Sequence, residues 1–276
     1  MAVSPEPFLP RHATPADLAA WCAVLSEGQA EASGGSPPAA ALAERLLAED
    51  GPPVPRWAAR ATAGGPVVGV AELRPRPHDP RTGFLRLFVA PPSRRQGVGA
   101  ALRTRVAADA RAAGMERLQG LAPAGGPGEP FALTWPGMRV LLRLERQEQR
   151  LDEEVLRRCR ELAVCPDPGG YRPAHWVGPA PADGGPAADQ HDTAVLPRHR
   201  RRGLARWIKA EQTLLLRERF PGVDTVTSTV NGSNLPMTTV NQAVGYRRVG
   251  ERLLVEVPLT HLAADSPGGP ATPGGP

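Results

Sequence analysis

The sequence predicts an α/β protein of two related domains, each a mixed, mostly antiparallel sheet flanked by helices, with the second domain shortened. Three observations predict it. An apolar strand runs through a proline into a basic, glycine-containing turn and then a helix, first over Leu85 to Ala100 and again over Thr193 to Ala205. Laid over each other, Val89, Pro91, Arg94 and Gly97 fall on Val195, Pro197, Arg200 and Gly203 without a gap. Each copy leads into an amphipathic helix and a further strand, and 276 residues are enough for two modest cores.

The elements follow in order. Pro15 to Glu31 and Pro38 to Glu49 read as helices around a flexible Ser33-Gly34-Gly35-Ser36 loop. Arg56 to Thr62 and Pro66 to Pro75 read as a hairpin joined by Ala63-Gly64-Gly65. After the first repeat strand and turn, Val98, Leu102, Val106 and Ala110 or Ala113 follow one helical face, which Gly114 terminates. A strand near Glu116 to Leu121 and a long strand from Met138 to about Gln149 complete the first domain, residues 1–150. A connecting helix, Asp152 to Leu162, lies in a linker spanning 151–170. The second domain, 171–262, opens with a strand over Tyr171 to Val177, joined by the Pro-, Gly- and Ala-rich stretch Gly178 to Asp189 to the repeat strand. In its helix Leu204, Ile208 and Leu214 or Leu215 form the apolar face, and Pro221-Gly222 ends it. The Gly- and Pro-rich tail 263–276 reads as disordered.

The turn is where chemistry enters. Gly97 and Gly99, or Gly203 and Ala205, leave little or no side chain where backbone must approach a ligand closely. The helix that opens there presents unpaired N–H groups and a dipole that favours an anion. Arg94 and Arg95, and Arg200, Arg201 and Arg202, add permanent charge in fork geometry, suited to a pyrophosphate, and Gln96, Val98 and Leu204 complete the turns and open the helices. A single Arg-x-x-Gly-x-(Gly/Ala) is a weak signal, and a basic solvated turn explains it as well. Two copies in the same strand-to-helix setting favour an anion site.

This pattern resembles the GNAT acetyltransferase superfamily, whose acyl-CoA pyrophosphate rests on such a turn. The resemblance continues through the threonine-rich strand Val223 to Asn231, then Asn234-Leu235-Pro236-Met237, Asn241 and Gly245-Tyr246. It touches most of residues 8–260 and is that of a tandem GNAT, an arrangement also found in mycothiol synthase-type bacterial proteins. It implies acetyl-CoA as donor and direct transfer to a primary amine of a small molecule. It also implies Val89 or Val195 near the thioester carbonyl, and Asn231 and Asn234 beside the pantetheine arm. The tyrosine that many members place before the Gly-aromatic pair is replaced here by Asn241, and in the first domain by Leu133. The remaining catalytic candidates are His191 and Asp192, just before the second repeat strand, and Tyr246. Each has a plainer reading, as a strand-edge pair and a core aromatic. Glu72 and Arg86 are further polar candidates for the base, with the plainer reading that they face solvent on an alternating strand.

The two copies keep complementary parts. The first has two helices and a hairpin before its turn but no asparagines after it; the second has the asparagines but lacks the front elements that form the acceptor pocket in this family. One expectation therefore puts acyl-CoA in the second domain and a structural role in the first; the competing one makes the first catalytic. A different class of function, a catalytically silent acyl-CoA-binding or scaffold module, is the alternative to an enzyme.

Composition narrows the field. The net charge of +5 is carried almost wholly by arginine, Lys209 being the only lysine. Aromatics are 4% and do not interleave with basic patches, so no specific nucleic-acid partner is expected. Cys22, Cys159 and Cys165 fit no zinc spacing or disulfide framework, His12, His78 and His175 show no metal-ligand spacing, and no metal is expected. The thiols suit a reducing cytoplasm, and no segment reads as a membrane span. The oligomeric state is not legible.

Overall fold

A computed structural model describes residues 3–33, 35–171, 187–190 and 193–262. The chain divides into two compact units, Met1–Leu141 with Leu254–Pro276, and Leu142–Leu253. The divisions fall inside two long strands rather than at residues 150 and 262, because the end of the chain returns to complete the first unit.

In the first unit the short strand β1 (Glu6–Pro7) precedes helices α1 (Pro15–Ser33) and α2 (Ala39–Leu47). Thr14 caps α1, its hydroxyl accepting from the Asp17 N–H at 3.1 Å, with Pro15 at the first helical position. Strands β2 (Arg56–Arg60), β3 (Val67–Arg76) and β4 (Asp79–Val89) form an antiparallel meander, and β5 (Arg117–Pro123) lies parallel to β4. Helix α3 (Val98–Ala112) buries Val98, Leu102, Val106, Ala107 and Ala110 against one sheet face, the expected stripe. A short helix α4 (Gly128–Leu133) follows β5. The other face is covered by α1 and α2 through Leu18, Trp21, Leu25, Leu42 and Leu46.

Gly28 of α1 shows how closely that cover fits. A Cβ there would stand 2.3 Å from the ring and 2.6 Å from the Cβ of Phe88, near the root of the side chain, so a methyl group cannot be absorbed by rotation. Replacing a helical glycine by alanine ordinarily gains about 1 kcal/mol, while overpacking costs about 1–3 kcal/mol. Gly28→Ala is therefore expected to lower stability by about 1–2 kcal/mol, read as an earlier urea midpoint at unchanged slope.

The second unit takes most of β6 (Arg139–Arg150), then α5 (Glu153–Leu162), β7 (Ala187–Gln190), α6 (Leu204–Arg219), β8 (Thr225–Asn231), α7 (Leu235–Ala243) and the first half of β9 (Arg247–Pro258). Asp152 caps α5 by accepting from the Val155 N–H, and Glu153 and Glu154 suit its first turn. β6 pairs antiparallel with β8, and β7 lies parallel to β8.

Two expectations change here. The second strand before the turn lies at Ala187–Gln190, inside the stretch that composition marks as a linker, and Thr193–Leu196 forms no ladder. Helix α6 buries Leu204, Trp207 and Ala210 together with Lys209 and Thr213, a face turned away from Ile208. A polar network accounts for Thr213, which donates to Gln149, and Gln149 in turn donates to the Val244 carbonyl at 2.6 Å. The expected strand over Tyr171 to Val177 and the tail lie outside the described residues, apart from Tyr171 itself. Among the described residues no helix is long and apolar enough to cross a membrane.

Candidate functional site

Both glycine turns have the same backbone. After a 3₁₀ turn at Pro91–Ser93 or Pro197–His199, Arg95 and Arg201 take left-handed φ of 63° and 62°. Gly97 and Gly203 follow at 84° and 79°. A left-handed arginine costs about 1–2 kcal/mol, and such strain is retained where the surroundings impose it. Here Arg94 Nε donates to the Val89 carbonyl at 3.1 Å, and Arg200 Nε to the Val195 carbonyl at 3.0 Å. Arg94 clips its turn to β4 and Arg200 clips its turn to the extended segment before it, and Arg94 also forms an ion pair with Glu31. Arg94 and Arg200, expected as phosphate ligands, thus hold the turns in shape. Among the described residues no hydrogen-bond acceptor is found for the N–H groups of residues 95–97 or 201–203. They form a concave donor surface that continues into the first turns of α3 and α6.

The two units differ in what lies beside that surface. In the first, the β4–β5 ladder covers only Thr82–Phe84 against Arg117–Gln119. Beyond it a cavity of ≈ 560 Å³ opens, lined by Leu87, Phe88, Val89, the turn, Gly120–Pro123 and α4. Gly120 marks the fork, because a Cβ there would come 3.1 Å from the Leu85 carbonyl oxygen. The Ala90 N–H bonds to Val68 on the β3 side, so alternation turns the N–H groups of Val89 and Leu87 toward the groove. Phe131 packs over Gly99 and meets Trp135 edge to face at 5.5 Å. Trp135 also lines the groove, and its Nε1–H is buried without an acceptor among the described residues. The opposite wall holds Glu256 from the end of β9, which accepts from Gln119 at 2.8 Å and pairs with Arg139. Burial alone would raise the Glu256 pKa; the hydrogen bonds from Gln119 and Arg139 and the charges of Arg139 and Arg117 outweigh it, leaving it below 4.5.

In the second unit the last described pair of the β7–β8 ladder is Gln190–Ser228, and the space beside β8 is a polar cavity of ≈ 150 Å³. Asn231 and Asn234 line it. Both also serve as turn and cap residues: Asn231 Oδ1 accepts from the Ser233 N–H and hydroxyl, and Asn234 Oδ1 accepts from the Met237 N–H. Beside this turn Tyr171 Oη lies 2.8 Å from His199 Nδ1 and 3.3 Å from Arg202 Nη1. Leu204 opens α6 as a buried residue and Ala205 is half-buried.

The other catalytic candidates fare unequally. His191 and Asp192 lie outside the described residues. Tyr246 is 3% exposed in the core of the second unit, where burial pushes its phenol up, so it is a packing residue. Glu72 does not face solvent: it is 2% exposed and paired with Arg56 and Arg74, with Arg86 at 3.7 Å. Asn241, where the family's tyrosine is expected, is buried and donates to Gln147. Sequence reasoning missed Glu31, Gln119, Phe131, Trp135 and Glu256. Only Phe131 and Trp135 carried a signal, as aromatics in an otherwise glycine- and proline-rich loop.

Residues 23–124 match the family model "Acetyltransferase (GNAT) family". No curated protein matches the chain. Among solved structures, a tandem GNAT protein from the clavulanic acid biosynthesis pathway is similar at 18% identity and a TM-score of 0.67, covering 98% of this chain and 100% of that one. A GCN5-related N-acetyltransferase from Sphaerobacter thermophilus is similar at 15% identity and 0.68, covering 93% and 96%. At these identities the likeness is one of fold, and it extends over both units.

Proposed function

We propose that this chain, which carries a GNAT-family acetyltransferase domain over residues 23–124 within a tandem GNAT fold, transfers an acetyl group from acetyl-CoA to a primary amine of a small molecule. The observation that carries the reading is the ≈ 560 Å³ groove of the first unit, which runs from the Arg95–Gly99 donor surface along the unpaired edge of β4. This supports the first unit as the seat of the donor, against the expectation raised by Asn231 and Asn234. The cavity at those asparagines, ≈ 150 Å³, is too small for a pantetheine arm.

Each part of the groove has a task in such a transfer. The N–H groups of residues 95–99 and the charge of Arg95 would hold a pyrophosphate. The N–H of Val89 or Leu87 would polarise the thioester carbonyl as negative charge develops on its oxygen. Trp135 Nε1–H offers a further donor to a carbonyl of the arm. The Glu256 carboxylate, ionised at neutral pH, suits attraction of the acceptor's ammonium. It is too weak a base to take that proton efficiently, so the proton leaves through water.

One observation favours the silent-binder reading. Among the described residues lining the groove, the titratable side chains are Glu31, Arg94, Arg95 and Glu256; none is a phenol, thiol or imidazole able to protonate the leaving thiolate. Titration calorimetry with acetyl-CoA, followed by thiol release over an amine panel, separates the readings. Micromolar binding near one site per chain with amine-dependent thiol release supports the enzyme. Binding without release supports the silent module, and no binding overturns both.

A further inference from the structure

Strand alternation puts Phe84, Arg86 and Phe88 of β4 on one face of the first sheet, the face where Phe88 packs with α1 and α2. Phe84 stands opposite Gln119 of β5, so Gln119 shares that face, and Glu256 accepts from it at 2.8 Å. Gln119 and Glu256 line the groove. Two guanidiniums frame this corner. Arg76 lies over the Phe84 ring, 4.6 Å from its centre, and its Nε and Nη2 donate to Gln119 Oε1 at 3.2 and 3.0 Å. It forms no ion pair among the described residues. Arg86 is exposed and stands 3.7 Å from Glu72, too far for a hydrogen bond, because Arg56 and Arg74 already take that carboxylate.

A guanidinium only donates, so Arg76 holds the Gln119 carbonyl toward itself and turns the amide N–H groups to Glu256. With Gln119 on Oε2 and Arg139 on Oε1, each oxygen of Glu256 keeps a free lone pair. A cation and an anion with unused capacity thus lie within about 8 Å of each other, joined through Gln119. An α-amino acid with one hydrogen bond at each charged end spans about the same distance.

We propose that the acceptor is a small α-amino acid, its ammonium drawn to Glu256 and its carboxylate to Arg76 and Arg86. The assignment rests on the reading of the first-unit groove as the site of transfer. After the ammonium gives a proton to water, its nitrogen attacks the thioester carbonyl and forms the N–C bond. The C–S bond breaks, the thiolate leaves with its electron pair, and the second proton passes to water. Electrostatics favours this class over a plain amine. A plain amine brings one more cation to a corner where Arg76, Arg86 and Arg139 meet the single carboxylate of Glu256, whereas an amino acid brings no net charge. The planar fork of arginine also matches a carboxylate.

Thiol release from acetyl-CoA tests this with the common L-amino acids, their α-amides and the amines left when the carboxyl group is removed. The amide is the stringent control, since it keeps the shape and its amine loses a proton more easily. The best acid should exceed its amide about 10-fold in kcat/KM, the size of one charge-assisted hydrogen bond. Arg86→Met should bring that ratio toward one, chiefly by raising KM for the acid, and Arg86→Lys should restore part of it. A merely structural role would lower acid and amide alike. Amides or plain amines that match the acids, or a ratio unmoved by Arg86→Met, overturn the assignment. If no amine releases thiol, calorimetry with the same compounds in the presence of CoA decides. Acid-selective binding, lost in Arg86→Met, upholds the subsite and sinks only the transfer; unselective or absent binding sinks both.

Discussion

Glu72→Ala should destabilise the protein by about 3–5 kcal/mol, a large part of the 5–15 kcal/mol that holds an average domain together. The reason lies in the register of the first sheet. Arg56 on β2, Glu72 on β3 and Arg86 on β4 stand directly opposite one another across three strands. Arg56 Nε lies 2.9 Å from Glu72 and Nη2 lies 2.7 Å from Glu49, while Arg74 reaches both carboxylates. Arg56 is 5% exposed and Glu72 2%, so removing Glu72 strands a buried guanidinium with one partner in place of two. Glu72→Gln, which keeps the shape and loses the charge, should cost less than alanine but more than a surface change.

The same cluster has a pH signature. Burial alone would raise the Glu72 pKa; the hydrogen bond from Arg74 and the charges of Arg74, Arg56 and Arg86 outweigh it, and the carboxyl sits below its ordinary 4.5. A carboxylate depressed in the folded state contributes stability that is present above the unfolded value and lost as pH falls through the folded one. Urea midpoints measured from neutral pH downward should therefore fall more steeply for the natural protein than for Glu72→Gln, with the two curves converging below pH 4.5. Parallel curves would mean that Glu72 carries no ionic stabilisation. The three strands were legible as strands, but not their pairing. Alternation alone places Glu72 on a face without saying what covers that face, and a buried carboxylate among arginines reads in sequence like an exposed one.

What sequence revealed elsewhere follows the same division between local and distant order. Helix α1 with its Thr14 cap, the hairpin, α3 ending at Gly114 and both glycine turns are decided by neighbours a few residues apart, and each stands where the pattern puts it. The groove is not local. Its Glu256 comes from a strand more than a hundred residues beyond Gln119, as their hydrogen bond shows. Strand β7 was hidden because Ala187–Gln190 sits among prolines and glycines, while the better-looking Thr193–Leu196 takes no strand conformation. The burial of Lys209 was hidden because the apolar stripe read for α6 included Ile208, although the buried face is centred on Trp207 and Ala210.

Gly97→Val in the first unit should abolish measurable acetyl-CoA binding, whereas Gly203→Val in the second should leave it nearly unchanged. The two positions share a left-handed backbone, so the cost of placing a branched side chain is alike in both, and any difference reports which turn holds the donor. Valine at 97 drives the turn out of shape and disperses the N–H groups of residues 95–99. Hydrogen bonds to a charged group are worth about 1.5–3 kcal/mol each, so losing two of them weakens binding about 100-fold or more at 1.4 kcal/mol per factor of ten. Arg95→Ala, which leaves the turn but removes one charge, should weaken binding about 10-fold under the same reasoning. Calorimetry on all three variants, with urea midpoints to confirm that each is folded, decides the matter. If Gly203→Val abolishes binding and Gly97→Val does not, the donor belongs to the second unit. Its ≈ 150 Å³ cavity must then widen to admit it, and the asparagines Asn231 and Asn234 regain the role that their family resemblance implies.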